Sequence, residues 1–285
     1  MTNKTYRFAA VAAVLLALLV FATPVGATGD ATPPSGIAEM NGQYYSTLQY
    51  AVDNATAGVQ TTITVVDDIA LTTKVTISAN KIIILDLNGK TISTDHASNG
   101  KATCAIQIQS KGNLTVKDTV GGGKITSSYD DPDYDWGTEG FPGYATNTIS
   151  NSGELTLESG TIESTTPKGG ASYAVDNYAG SKLTVNGGKI FGAYDVAVRI
   201  FTSSNTAETH VTINGGEITG YRAIWIQLAG SATTTAPRVT LEITDGTLTS
   251  NDDTYHNAIY SGFFEHCFCR FFIYYITISY NRYFD

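Results

Sequence analysis

Asp131, Asp133 and Asp135 alternate along the segment from Tyr129 to Glu139, and carboxylate oxygens spaced in this way are ligands that a Ca2+ ion takes. The match to an EF-hand loop is partial. Gly137 comes one place late, and Pro142 stands where that loop has its bidentate Glu. Tyr134, Trp136 and Tyr144 share the segment and offer flat apolar faces to the C–H side of a sugar ring, while Asp133 can accept hydrogen bonds from sugar hydroxyls. The expectation is therefore a ligand site at Asp133, Tyr134, Trp136 and Tyr144 and no cofactor, with Ca2+ as the one candidate ion and Asp131, Asp133 and Asp135 as its ligands. The alternative is a solvated acidic loop.

No catalytic residue is assigned. Hydrolysis of a glycosidic bond takes paired carboxylates, one to protonate the leaving oxygen and one to activate water or attack. β-Elimination takes carboxylates that hold Ca2+ against a uronate, plus an Arg or Lys base. The chain has no Gly-His-Gly, no Arg-Ile-Lys and no column of Asp at one repeat position. Arg199 and Arg222 fall on equivalent segments, and without a carboxylate column they read as a surface ion pair or as solvated charges. A Gly-x-Ser-x-Gly elbow, a His-Glu-x-x-His helix and a P-loop are also missing. Gly121-Gly-Gly-Lys124 sits where other repeats turn, and reads as a turn. His266, Cys267 and Cys269 are soft metal ligands without a fourth partner. Asn54-Ala-Thr56 and Asn113-Leu-Thr115 have the form of glycosylation acceptors.

The elements that would carry these residues repeat. An apolar-x-apolar pair, a small or Asn/Gly turn and a closing apolar residue run from Leu85 to Ile92, Leu155 to Ile162, Leu183 to Ile190, Val211 to Ile218 and Leu241 to Leu248. Leu114 to Ile125 is a longer copy. Leu183-Thr-Val185 and Val211-Thr-Ile213 alternate with period two before Asn-Gly-Gly, which identifies strands and stops rather than helix turns. A third short strand recurs as Ala105-Ile-Gln-Ile108, Ala174-Val175, Ala197-Val-Arg-Ile200, Ala223-Ile-Trp-Ile226 and Ala258-Ile259. Thr115, Thr156, Thr184 and Thr212 fall at one outward position. Tyr144, Tyr173, Tyr194, Tyr221 and Tyr255 precede the third strand and are expected to stack as a ladder or to form an aromatic strip.

Three short strands per repeat leave no room for the helix of a leucine-rich repeat or the four strands of a propeller blade. A parallel β-helix fits, with apolar residues inward and successive coils about 4.8 Å apart. The fold class expected is all-β, a right-handed single-stranded parallel β-helix. Ser46 is the N-cap expected for a short helix to Ala55, with Leu48, Ala51, Val52 and Ala55 on one face as a lid over the first coil.

Lys4 and Arg7, the apolar run from Phe8 to Phe21 and the exit Val25-Gly-Ala27 have the layout of a secretory signal peptide over 1–27, too short to span a membrane comfortably. Residues 28–40 read as linker, 41–262 as the β-helix domain, and 263–285 as an aromatic tail without the repeat phrase. For the tail two readings stand, a C-terminal cap or a frame lost near Ser261. No transmembrane segment is expected after signal cleavage. The net charge of −9 and pI near 4.8 argue against nucleic acid as a partner. Three cysteines make no disulfide framework, and Cys104 reads as a buried thiol.

The stretch Tyr45-Ser-Thr-Leu-Gln-Tyr-Ala-Val-Asp-Asn-Ala55, followed by Ile63-Thr-Val-Val66 and Leu85-Asp-Leu-Asn-Gly-Lys-Thr-Ile92, resembles the start of the pectate-lyase-like right-handed β-helix surface proteins, often described as adhesin-like, of bacteria and archaea. The resemblance covers roughly residues 40–262. It implies surface exposure and a role in adhesion or glycan contact. The function expected is a secreted or surface-exposed, non-catalytic module with polysaccharide or cell-surface glycan as partner. Two alternatives stand beside it: a polysaccharide lyase or glycoside hydrolase fragment whose catalytic coils are missing, and a purely structural surface protein.

Overall fold

The structure is a computed structural model that describes residues 35–95, 104–129, 146–165, 172–194, 196–202, 207–228, 238–251, 257–262, 268–273 and 277–280. The chain divides into Met1–Pro33, which lies outside the described residues, and Pro34–Asp285. The second unit is all-β with parallel sheets and one short helix among the described residues.

From Gln60 onward its strands pair in parallel not with their neighbours in sequence but with the strand three on, or two on where a long strand takes the place of two, and this sorts them into three parallel ladders. The first ladder runs through Gln60–Val65, Ile82–Asp86, Asn113–Lys117, Glu154–Leu157 and Lys182–Val185. The second runs through Ile69–Leu71, Thr91–Asp95, Lys124–Ser128, Thr161–Ser164 and Lys189–Gly192. The long strands Glu208–Gly220 and Arg238–Ser250 belong to both, their first halves extending the first ladder and their second halves the second. The third ladder runs through Val75–Ile77, Cys104–Ile108, Thr146–Asn151, Ser172–Tyr178, Val196–Thr202, Arg222–Leu228 and Ile259–Gly262.

Period-two alternation fixes the register, because a slip of one residue would turn every apolar side chain outward. Leu114, Leu155, Leu183, Val211 and Leu241 stand opposite one another, as do Ile92, Ile125, Ile162, Ile190, Ile218 and Leu248 on the second ladder, and all are buried. On the third ladder Ile106, Ile149, Val175, Val198 and Ile224 do the same, and Ile259 opposite Ile224 is partly buried against them. Each fully buried Leu, Ile or Val contributes about 1.5–3 kcal/mol. The first copy of the phrase is corrected by two residues: Ile83, not Leu85, pairs with Leu114, and Leu85 pairs with Val116. A shift of two keeps the same face inward, so the hydrophobic pattern alone could not detect it.

The turns between the first two ladders are held by side chains as well as by glycine. Asn186 donates to Glu158 Oε1 at 2.9 Å, Asn214 donates to Asn186 Oδ1 at 2.9 Å and Thr244 to Asn214 Oδ1 at 2.9 Å, so each turn is tied to the one before it. Gly188 has φ +73°, and a Cβ there would lie 2.6 Å from the Gly160 carbonyl oxygen, so both backbone and space demand glycine.

At the start of the stack, Ala38–Met40 pairs antiparallel with both Gln43–Tyr45 and Gln60–Val65, so a strand lies inside the segment read as linker. The helix spans Leu48–Asn54, and its N-cap is Thr47 rather than Ser46: Thr47 is extended at φ −140°, and its Oγ1 accepts from Tyr50 N at 3.1 Å. Leu48, Ala51 and Val52 are buried. Gln49 accepts from Thr76 N at 2.6 Å and donates to Thr76 O at 3.2 Å, so one side-chain amide satisfies the edge of Val75–Ile77 as a neighbouring strand would. The tail segments Phe268–Ile273 and Thr277–Tyr280 pair parallel with the two halves of Arg238–Ser250, with Leu241 opposite Phe271 and Leu248 opposite Ile278. Among the described residues no helix is long and apolar enough to cross a membrane.

Candidate ligand-binding face

Asp131, Asp133, Tyr134, Asp135, Trp136 and Tyr144 lie outside the described residues, as do Tyr255, His266 and Cys267. Among the described residues no group of three or more His, Cys, Asp or Glu is placed to hold a metal ion. Gly121-Gly-Gly-Lys124 is a turn, with φ +94° at Gly121 and +83° at Gly122 and its closing N–H, from Gly123, held by Asp118 Oδ2 at 2.7 Å. It borders an open groove of about 430 Å³ lined by Asp118, Ser159, Lys189 and Glu217 over a glycine floor. Cys104 is buried. Asn54 is exposed at the helix end, whereas Asn113 sits within a strand and donates to Glu154 Oε2 at 3.1 Å.

Among the described residues, Tyr173, Tyr194 and Tyr221 do not form the expected ladder. Tyr173 stands opposite Val196, which in turn stands opposite Arg222. Tyr194 precedes that row by two residues and is 53 % exposed, and Tyr221 precedes it by one. The tyrosines precede the small residue of the third strand by different offsets, one residue from Tyr173 to Ala174, three from Tyr194 to Ala197 and two from Tyr221 to Ala223, so they fall at different register positions. Thr115, Thr156, Thr184 and Thr212 do stand in one row, half-buried.

The third ladder gathers the most elaborate chemistry. Alternation sends Asp176, Arg199, Trp225 and Tyr260 to one outward row, while Val175, Val198, Ile224 and Ile259 go to the core. Arg199 donates through Nε to Asp176 Oδ1 at 2.8 Å and through Nη2 to Oδ2 at 2.6 Å, a bidentate fork that planar guanidinium geometry favours. Asn147 Nδ2 adds a third bond to Asp176 Oδ2 at 2.9 Å, and Tyr178 hydrogen-bonds the same carboxylate. The reading of Arg199 as a surface charge is thereby corrected: the Asp176 side chain is 0 % exposed and that of Arg199 11 %. Arg199 Nη1 donates to Gln227 Oε1 at 3.2 Å and to the Tyr173 hydroxyl at 3.4 Å, and the guanidinium lies 4.1 Å from the Tyr173 ring centre and 4.9 Å from that of Phe201.

Electrostatics follow from this burial. Burial works to lower the Arg199 pKa, but the hydrogen bonds and charge of Asp176 outweigh it and hold it above the ordinary value. Tyr178 is pushed up to about 12, first by burial and then by the adjacent Asp176 charge. Asp176 is directed at fixed donors inside the protein. The clamp is built to hold strands together.

One strand further on, a second cation is differently placed. The Arg222 guanidinium lies 4.0 Å from the Tyr260 ring centre, 5.6 Å from that of Tyr221 and 5.9 Å from that of Trp225. Trp225 in turn meets Tyr173 at 6.3 Å and a tilt of 59°, so the two cation and ring groups form one continuous patch. Arg222 has no ion-pair partner among the described residues. Its Nε and the Trp225 Nε1 are buried without a hydrogen-bond acceptor, each a shortfall of about 1–3 kcal/mol. Trp225, Tyr260 and Arg222 are half-buried along this edge, with Tyr173 buried behind them, and such half-open rings can take flat polyhydroxylated molecules, stacking on C–H faces while guanidinium N–H groups reach oxygens.

Sequence reasoning noticed Arg199 and Arg222 and missed Asp176, Asn147, Tyr178, Trp225 and Tyr260. Their signal was positional: Trp225 and Tyr260 occupy the same place in successive copies of the small-apolar strand. No protein-family model, curated protein or solved structure matches this chain.

Proposed function

We propose that the chain is a secreted or cell-surface, non-catalytic adhesion module that binds polysaccharide or cell-surface glycan. Its frame in this reading is a right-handed single-stranded parallel β-helix, closed at its start by the short capping helix. A chain that rejoins the same ladder after every three strands is consistent with winding, and crossovers between parallel strands are right-handed in almost all proteins. The N-terminal layout of Lys4, Arg7 and the apolar run to Phe21 supports export.

The observation that carries glycan binding is the half-buried group of Trp225, Tyr260 and Arg222 on the parallel third ladder, backed by buried Tyr173 and the Arg199 clamp. Aromatic rings at fixed spacing present stacking surface with little ordering cost. The acidic and aromatic loop, with Asp131, Asp133, Tyr134, Asp135, Trp136 and Tyr144, is proposed as a second, Ca2+-assisted contact. A glycan array tests the reading. Wild-type chain binds, and Trp225→Ala with Tyr260→Ala lowers binding at least about tenfold while the β-type far-UV spectrum persists. An array with no binding on any glycan would leave the purely structural alternative.

A further inference from the structure

We propose that Arg222 makes this face selective for acidic sugars, gripping the oxyanion of a carboxylated or sulfated ring that lies against Trp225 and Tyr260; the inference rests on the glycan-binding reading above. The contrast between two neighbouring arginines carries it. Arg199 and Arg222 lie on adjacent paired strands and both contact aromatic rings. Arg199 has its counter-ion inside the protein, on Asp176. Arg222 has none among the described residues, although the chain carries nine more acidic than basic groups.

Two unpartnered donors mark the same place. Arg222 Nε and Trp225 Nε1 are three residues apart on Arg222–Leu228, both buried and both without an acceptor. An oxyanion that reached this edge would supply acceptors to the planar guanidinium and to the indole N–H, while its ring met the Trp225 and Tyr260 faces. Tyr260, with its ring centre 4.0 Å from the guanidinium, keeps Arg222 in place without using its N–H groups, which lie in the guanidinium plane. The net charge of −9 repels densely charged polyanions, so the fitting ligand bears sparse charge, one oxyanion on an otherwise neutral saccharide.

The test titrates the full chain with matched oligosaccharides: lactose, sialyllactose and sulfated lactose. Wild type is expected to bind an acidic member about tenfold or more tighter than lactose, with a preference that shrinks as salt rises while lactose binding does not change. The sialylated and sulfated arms distinguish carboxylate from sulfate as the source of the oxyanion. Arg222→Gln is expected to bring the acidic ligand down to the level of lactose, with a much smaller loss on lactose itself, and Arg222→Lys to restore part of the preference. Equal binding of neutral and acidic sugars, or equal losses of both in Arg222→Gln, would overturn the inference and leave glycan binding standing. Failure of all three sugars, together with an empty array, would remove both. The salt titration needs only wild type, so a variant that fails to fold does not protect the inference.

Discussion

Removing the charge of Asp176 is expected to destabilise the protein out of proportion to the single atom changed. In Asp176→Asn the carboxylate that accepts both prongs of Arg199, at 2.6 and 2.8 Å, becomes an amide with one acceptor oxygen, and its NH2 group faces a donor. The guanidinium left behind has a side chain only 11 % exposed, so water cannot replace the lost partner. Gln227 Oε1 at 3.2 Å and the Tyr173 hydroxyl at 3.4 Å are its remaining acceptors, both neutral. Breaking a buried pair from one side costs about 3–5 kcal/mol, chiefly as the cost of the orphaned charge. For a domain of this size each kcal/mol moves the melting temperature by about 2–4 °C, which gives a drop of about 6–20 °C.

The assay is thermal unfolding at neutral pH, followed by far-UV circular dichroism, on Asp176→Asn, Arg199→Met and the double variant. The single variants should each lose several kcal/mol, and the double should lose less than their sum, since it buries no unpaired charge. Losses under about 1 kcal/mol, or singles that simply add, would refute the description of the pair as a buried clamp. Additivity would mean that the fork contributes as separate surface contacts do.

Four other outcomes test other parts of the structure. Tyr178, with a folded value of about 12 against an ordinary 10.0, should contribute stability that is present below pH 10 and lost as pH rises through about 12, and Tyr178→Phe should flatten that limb in a series of melts. Asp86 runs the other way. Burial raises its pKa, but bonds from Thr119, Asn88 and Lys117 prevail and lower it, so its stabilisation is present above 3.8 and lost as pH falls through the folded value; Asp86→Asn should weaken the acid dependence. Gly188→Ala, at φ +73° with its Cβ against the Gly160 oxygen, should cost about 1–3 kcal/mol or more by urea titration, and a neutral result would contradict the turn geometry. Ile190→Asp, in the buried row of the second ladder, should unfold the chain, while Thr184→Asp on the outward row should be mild; similar effects would contradict the register.

What could be read in the sequence follows from how local each signal is. The alternation of Leu183-Thr-Val185 and the glycine stop after it are written within a few residues, so strand, turn and inward face were evident before any pairing was known. The strand Thr146–Asn151 was not evident, because Thr-Asn-Thr-Ile-Ser-Asn holds one large apolar residue. It is fixed by its neighbours, with Ile149 between Ile106 and Val175, and by Thr148, whose hydroxyl bonds the Glu163 carbonyl at 2.6 Å. The Asp176 and Arg199 clamp was hidden for the same reason. Its members are 23 residues apart, and only the parallel register of Ser172–Tyr178 with Val196–Thr202 sets them side by side. In a chain whose strands pair across repeats of about this length, chemistry accumulates in rows perpendicular to the sequence. A site must therefore be sought by aligning repeats in register and reading down the outward positions, where Asp176, Arg199, Trp225 and Tyr260 form one line.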